Sequence, residues 1–159
     1  MLHLYLIPLI FALIGLAFYA VLGGADFGAG FWDLLAGGAE RGERPRALIQ
    51  RSLTPVWEAN HVWLIFILVV LWTAVPPAFS AEMTTLYVPI ALAAVGIVLR
   101  GSGFAFRKSI VGLSGRRAAG ATFAISSLLT PFFMGATVGA VASGNVPADG
   151  IGAPFSSWL

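Results

Sequence analysis

Glu58 and His61 are the residues of this chain whose types and spacing best suit chemistry on a proton. They are three positions apart, so both side chains fall on one face of a helix. Apolar sequence follows them, and protonatable side chains at membrane depth commonly serve in proton relays. We therefore interpret Glu58 as a proton-carrying acid with a histidine neighbour. The alternative is an acid at the membrane interface that forms an ion pair with Arg100.

Asp26 is a second acid beside apolar sequence, and it lies in a glycine-rich segment. Small residues spaced four apart, Gly24 with Gly28 and Ala25 with Ala29, predict a close approach between helices. Packing explains these small residues but not the carboxylate. Asp26 is therefore a candidate for a proton route or for a structural hydrogen bond, and the sequence leaves both open.

Arg100 is flanked by apolar and small residues, and because its guanidinium does not lose its proton it needs a partner. We expect a structural ion pair with Glu58 or Asp26, or a contact with an anionic lipid headgroup, ahead of a direct contact with a quinone or a haem propionate. Trp57 and Trp63 bracket the Glu58 segment. Tryptophans near a membrane interface are most often anchors of an aromatic belt, which is our interpretation of both.

Long apolar runs carry or adjoin these residues and determine the class of protein. Of the 159 residues, 58% are apolar and 10% are charged, with a mean hydropathy of +0.90. Soluble domains carry about 25% charged residues, and a membrane-spanning helix needs about 20 apolar residues. We predict an all-α integral membrane protein, a single domain over residues 1–159 that forms a bundle of four transmembrane helices. The predicted helices cover approximately residues 4–35, 54–75, 85–106 and 118–142.

The composition also restricts the chemistry that this chain can perform alone. It contains no cysteine, which excludes disulfides, iron–sulfur clusters and thiolate metal sites within it. His61 is the only histidine predicted at membrane depth, so two histidines cannot ligate one haem there. No motif indicates a nucleotide, metal or covalent-catalysis site. We expect no cofactor bound by this chain alone.

Prolines mark the ends of the predicted helices. Thr54 suits an N-cap and Pro55 the first position of a helix, so the second helix is predicted to begin there. Pro76 and Pro77 are predicted to stop it and to open a short loop that runs to about residue 85. Pro131 predicts a kink in the fourth helix.

Basic residues alternate between the predicted loops. Loops one and three each carry four, and loop two carries none: Arg41, Arg44, Arg46 and Arg51, then Arg107, Lys108, Arg116 and Arg117. The positive-inside rule therefore predicts cytoplasmic loops one and three and two extracytoplasmic termini. With that topology Asp26, Glu58, His61 and Arg100 lie at comparable depth in the inner leaflet.

Three segments occur in a recognisable order: GGADFGAG at 23–30, PVWEANHVWLI at 55–65 and RGSGFAFR at 100–107. Together they resemble subunit II of the cytochrome bd-type quinol oxidases, and the resemblance spans essentially the whole chain. It implies an accessory subunit in a bacterial cell membrane, beside a haem-bearing subunit I. In that family subunit I carries haem b and haem d, oxidises quinol and reduces oxygen to water.

The resemblance also implies roles for individual residues. Glu58 matches the acidic proton-path position of the family. The expected proton path consists of Glu58, Asp26 and His61. Structural contacts, or contacts with lipid or quinone, are implied for the other motif residues, which are Trp57, Asn60, Trp63 and Arg100.

Two departures from the family pattern bear on function. Many members have an acid at the position of Ala105, so the proton route here is expected to end differently or to use water or His61. The chain also resembles only the first half of the family sequence, which implies either a truncated or split subunit or a separate chain that supplies the other half. The alternatives to an oxidase subunit are a small membrane transporter or channel component and a truncated, non-catalytic scaffold.

Overall fold

A computed structural model describes residues 4, 6–38, 41–106, 109–110, 112–148 and 156–158 of the chain. These ranges contain helices and no strand, and the helices are α1 (Leu6–Leu35), α2 (Glu43–Ala74), α3 (Pro76–Thr85), α4 (Tyr87–Phe106) and α5 (Leu113–Ala142). The helices α1, α2, α4 and α5 are long and apolar enough to cross a membrane. The predicted all-α membrane fold with four transmembrane helices is therefore confirmed.

The packing order of the helices determines which side chains meet inside the bundle. Helix α1 packs against both α2 and α5, and α5 packs along α4. Short α3 connects α2 to α4 and contacts both of them. The interior of the bundle therefore lies between the α1–α2 pair and the α4–α5 pair.

Helix α2 begins at Glu43, so the predicted start at Thr54 is wrong. The Thr54 hydroxyl donates to the backbone oxygen of Gln50 at 3.2 Å, which is the bond of a residue inside a helix and not of an N-cap. Pro55 lies within the helix. Residues 43–53 are mostly good helix formers such as Arg, Ala, Leu and Gln, and they extend the helix ahead of the proline.

The segment predicted as a loop after Pro76 is helix α3. Pro76 and Pro77 do end α2, since Val75 has φ −137° and ψ 57°, outside the helical range. Proline is also favoured at the first position of a helix because no intrahelical partner exists there for the missing N–H. The same pair therefore ends one helix and begins the next. Trp72 stacks on Phe79 across the junction, with ring centroids 6.4 Å apart.

The following helices, α4 and α5, begin at Tyr87 and Leu113, and Pro131 lies inside α5.

The close approach predicted at Gly24 and Gly28 occurs at other glycines. A Cβ added at either of these two would meet nothing within 4 Å. A Cβ at Gly30 would instead collide with the Ser127 side chain, and one at Gly96 with Thr130. Helix α5 therefore fits against α1 and α4 through Gly30 and Gly96, because a glycine at the contact lets two helix backbones approach.

The orientation of the bundle in the membrane stays a prediction. Of the basic residues on which it rests, Arg107 and Lys108 lie outside the described residues. The other six are described: Arg41 lies between α1 and α2, Arg44, Arg46 and Arg51 lie in the first three turns of α2, and Arg116 and Arg117 lie in the first two turns of α5. They therefore cluster at one end of the bundle, as the predicted alternation of loop charges requires.

Candidate functional site

A buried ion pair joins α1 to α4 inside the bundle. Arg100 Nη1 lies 2.7 Å from Asp26 Oδ1, and the two side chains are 2% and 0% exposed. Arg100 Nη2 also donates to the backbone oxygen of Asp26. The sequence left Glu58 and Asp26 open as partners of Arg100, and the structure pairs it with Asp26.

The other two transmembrane helices each add a hydrogen bond to this pair. Asn60 Nδ2 of α2 donates to Asp26 Oδ2 at 3.0 Å. Arg100 Nε donates to Ser127 Oγ of α5 at 2.9 Å, and the Ser127 hydroxyl in turn donates to the backbone oxygen of Phe123 at 2.6 Å. We call Asp26, Asn60, Arg100 and Ser127 the polar cluster. It joins all four transmembrane helices at one level.

Aromatic rings complete the surroundings of the Arg100 guanidinium. Its central carbon lies 5.1 Å from the ring centroid of Phe27 and 5.0 Å from that of Phe123. Both distances are within the range of cation–π attraction. A buried cation is costly unless its charge and its donors are matched. Here a carboxylate, a hydroxyl and two ring faces provide that match.

Glu58 lies outside this cluster although it is only two residues from Asn60. Successive residues of an α-helix are about 100° apart around the axis and about 1.5 Å apart along it. Glu58 and Asn60 therefore lie within about 3 Å of the same level but on nearly opposite faces of α2. Asn60 is fully buried in the bundle, whereas Glu58 is exposed on its outer surface.

An apolar stripe continues the face of α2 that carries Glu58. Its members recur at alternating steps of four and three, and all are exposed: Val62, Ile65, Val69 and Trp72. We call Glu58 and these four residues the α2 outer face. Steps of four and three are the spacing by which one helix packs along another. The single carboxylate of this face therefore lies at one end of an apolar line.

His61 is half-buried beside Trp57. Its Nδ1 lies 2.8 Å from the backbone oxygen of Trp57, and the two ring centroids are 4.8 Å apart. Its Nε2 is buried without a hydrogen-bond partner among the described residues. Within the same residues no ion pair joins His61 to Glu58. The imidazole therefore keeps one ring nitrogen available close to the level of Glu58.

The two tryptophans contact neighbouring helices. Trp63 stacks on Phe18 of α1, with centroids 4.6 Å apart and planes inclined by 12°. Trp57 faces α4, where its centroid is 6.5 Å from that of Phe104. Both rings are partly exposed. Each therefore contributes to a contact between helices and keeps part of its surface exposed.

Sequence reasoning missed Ser127 and the contact between Tyr19 and Met134. The Tyr19 hydroxyl donates to Met134 Sδ at 2.9 Å, between α1 and α5. Ser126 and Ser127 interrupt the apolar sequence of α5, and that interruption was the available signal. Polar side chains within membrane helices usually bond across to a neighbouring helix.

Met134, one possible axial ligand of a haem, is already engaged inside the bundle. Axial ligation needs a histidine or methionine directed at the iron. Met134 accepts the Tyr19 hydrogen bond, and the rings of His61 and Trp57 lie against each other. No group of three or more His, Cys, Asp or Glu suited to a metal ion occurs in the part of the chain that the structure describes. Ala105 stands at the position where many members of the resembled family have an acid. It is exposed on the last turn of α4.

Comparison with known proteins gives the family context of this arrangement. A model of the family described as cytochrome bd terminal oxidase subunit II matches residues 4–159. The putative cytochrome bd menaquinol oxidase subunit II of Bacillus subtilis (strain 168) is 34% identical over 86 residues, which cover 54% of this chain and 24% of that protein. The cytochrome bd-I ubiquinol oxidase subunit 2 of Escherichia coli (strain K12) is 29% identical over 126 residues, 79% of this chain and 32% of that protein.

A third relative shows the same partial coverage. The cytochrome bd ubiquinol oxidase subunit 2 of Bacillus subtilis (strain 168) is 27% identical over 114 residues, 72% of this chain and 33% of that protein. The chain thus spans about a quarter to a third of the length of the curated relatives it matches.

Proposed function

The chain belongs to the cytochrome bd terminal oxidase subunit II family, and on that premise we propose that it is an accessory subunit of a membrane quinol:oxygen oxidoreductase. Its four apolar helices and its family make it a multi-pass bacterial membrane protein. In the proposed complex a haem-bearing subunit I oxidises quinol and reduces oxygen to water. This chain stabilises subunit I and delivers protons to it.

The observation that carries the proposal is the exposed carboxylate of Glu58 on the α2 outer face. A charged side chain facing lipid costs on the order of 2.5–3.5 kcal/mol at the centre of the bilayer by insertion scales, and less towards the interface. Polar surroundings supplied by another protein remove that cost. The apolar residues at steps of four and three beyond Glu58 suit the packing of a partner helix. The α2 outer face is therefore our proposed contact with subunit I.

Glu58 is better suited than Asp26 to carry a proton. Protonation of Asp26 would leave Arg100 as an unmatched buried cation, because their ion pair is 2.7 Å long and almost fully buried. Glu58 has no such partner among the described residues and can exchange its proton without breaking the bundle. We propose that Glu58 carries the proton and that His61 Nε2 accepts or donates it nearby. Asp26 then contributes to the route by holding α2 through Asn60.

The cofactors of the proposed complex belong to the partner. We place haem b and haem d in subunit I, as membership of the bd-type oxidase family implies. The quinol is the electron donor; the relatives' names include a menaquinol and a ubiquinol oxidase, and both quinol classes stay open for this chain. Trp57 and Trp63 are the residues we propose for contact with a quinone or lipid, because Arg100 and Asn60 are enclosed in the polar cluster.

The substitution Glu58→Gln in the assembled complex tests the proposed proton route. We expect quinol-driven oxygen consumption to fall about tenfold or more, in line with the contribution of a positioned acid or base. The haem absorption spectrum should be unchanged, and Glu58→Asp should restore part of the rate. Glu82→Gln, on α3 beyond the end of α2, removes a carboxylate that is not on the α2 outer face and is the control.

Two results would contradict this route. Unchanged turnover in Glu58→Gln would show that no required proton passes through this carboxylate. Loss of the haem d signal in Glu58→Gln and Glu58→Ala would show that Glu58 holds the complex together and does not carry protons.

A further inference from the structure

A cavity of about 660 Å³ opens at the end of the bundle that carries the basic residues. It lies between the last turn of α1, the first two turns of α2 and the first three turns of α5. Three arginines line it, Arg46, Arg116 and Arg117, together with the acids Asp33 and Glu43. This cavity is separate from the polar cluster and from the α2 outer face, and the proposed function does not use it.

Arg46 and Asp33 form part of the wall of the cavity. Arg46 Nε lies 3.3 Å from Asp33 Oδ1. Its Nη2 and Nη1 donate to the backbone oxygens of Gly37 and Gly38 at 2.6 and 3.2 Å, just beyond the end of α1. The guanidinium therefore holds the backbone just beyond the end of α1 through two hydrogen bonds. Its charge and that of Asp33 neutralise each other.

Arg116 and Arg117 supply the remaining positive charge. Arg116 Nε donates to the backbone oxygen of Ile110 at 3.1 Å, which fixes the direction of the side chain and uses one of five guanidinium donors. Both arginines are exposed. Together they exceed the single charge of Glu43, so the cavity is net positive. Arginine guanidiniums match the geometry of phosphate oxygens.

The wall beyond the arginines is apolar and leads along α5 into the membrane-spanning segment. Gly120, Ala121 and Ala124 follow Arg117 on the cavity side of α5, and Leu34 of α1 lies across from them. At about 1.5 Å per residue, Ala124 is about 10 Å deeper than Arg117. A free phosphate would use only the arginine end. A molecule with a phosphate head and an apolar tail would use the whole cavity.

We propose that this cavity binds an anionic phospholipid. The phosphate lies on Arg116 and Arg117, and the start of an acyl chain lies along Ala121 and Leu34. Basic pockets between transmembrane helices at the cytoplasmic surface are suited to anionic headgroups, and each arginine near such a surface adds to the attraction. The cavity therefore serves as a lipid site between α1, α2 and α5.

Binding of phosphatidylglycerol to the protein purified from its native membranes, with the subunits that accompany it, tests the proposal. The purified sample is exchanged into phosphatidylcholine and titrated with phosphatidylglycerol, and bound lipid is counted by native mass spectrometry. In the double variant Arg116→Gln with Arg117→Gln we expect affinity to fall about tenfold or more. The control Arg44→Gln with Arg51→Gln removes the same charge from exposed positions that do not line the cavity and should change affinity less than about twofold.

A second variant tests the apolar part without changing any charge. Ala121→Phe fills the cavity beside the arginines, whereas Ala118→Phe adds the same ring at an exposed position of α5 outside the cavity. We expect Ala121→Phe to displace phosphatidylglycerol and Ala118→Phe to retain it. Equal retention by all four variants would overturn the proposal. So would inorganic phosphate competing at the concentration at which phosphatidylglycerol binds, since the apolar wall would then contribute nothing.

Discussion

At the scale of single residues, the acids Asp26 and Glu58 have opposite environments. Asp26 is enclosed and matched by Arg100 and Asn60, whereas Glu58 is exposed on the α2 outer face. A buried, matched carboxylate stabilises the contacts between helices. An exposed carboxylate within an apolar face requires a partner. The same residue chemistry thus gives one structural group and one proposed proton carrier.

Breaking the buried pair should destabilise the protein strongly. Arg100→Gln leaves the Asp26 carboxylate buried and unmatched, which costs about 3–5 kcal/mol. Asp26→Asn combined with Arg100→Gln removes both charges, so most of that loss should be recovered. Thermal unfolding of the detergent-solubilised protein, followed by tryptophan fluorescence, measures the difference, with the exposed Arg51→Gln as control. A double variant as unstable as Arg100→Gln would show that the instability of Arg100→Gln does not come from an unmatched charge on Asp26.

The sequence predicted the level of these residues but not their faces. Apolar run lengths and loop charges placed Asp26, Glu58, His61 and Arg100 at one depth, and the polar cluster joins Asp26 and Arg100 there. Depth depends on position along a helix, which the sequence determines directly. Which face of α2 points inward depends on its rotation against α1, which only the packing of the whole bundle settles. For that reason Glu58 and Asp26 could not be separated as partners of Arg100 beforehand.

At the scale of helices, the glycines that matter are those against which α5 packs. Gly30 of α1 and Gly96 of α4 meet Ser127 and Thr130, one turn apart on α5. The tight contact at Gly30 also positions the Ser127 hydroxyl that accepts from Arg100. Helix packing and the polar cluster therefore depend on the same approach. Spacing alone pointed to Gly24 and Gly28 because the sequence does not show which stripe of α1 faces α5.

Alanine substitutions on α1 should separate these two kinds of glycine. Gly30→Ala places a Cβ into the Ser127 side chain, and overpacking of this sort costs about 1–3 kcal/mol. Gly24→Ala meets nothing within 4 Å and should be neutral or should stabilise the helix by up to about 1 kcal/mol. Thermal unfolding midpoints of the two variants give the comparison. Equal midpoints would mean that α1 and α5 do not approach at Gly30.

Helix ends were predicted less well than helix cores, for a local reason. A Thr-Pro pair reads as a helix start, yet Pro55 lies inside α2 because good helix formers precede it. A Pro-Pro pair reads as a stop, and here it stops α2 and also begins α3. Proline removes one backbone hydrogen-bond donor and fixes the dihedral angle φ. Both effects are compatible with a position at the start of a helix and with one inside it. The surrounding helix propensity decides between them.

At the scale of the whole molecule, the predicted orientation can be tested with introduced cysteines, because the sequence has none of its own. Ser143→Cys lies just beyond α5 and Ser114→Cys at its start, and both positions are exposed. A membrane-impermeant maleimide should label Ser143→Cys in intact spheroplasts and Ser114→Cys only after permeabilisation. The reverse pattern would invert the topology and place Glu58 in the outer leaflet.

The central claim is that this chain is a subunit that presents Glu58 to a haem-bearing partner. Purification of the tagged chain from its native membranes in mild detergent, followed by an optical difference spectrum and mass spectrometry, tests it most directly. We predict co-purification of a membrane protein with b-type and d-type haem signals. A folded product without haem or partner would contradict the claim and favour a transporter component or a non-catalytic scaffold.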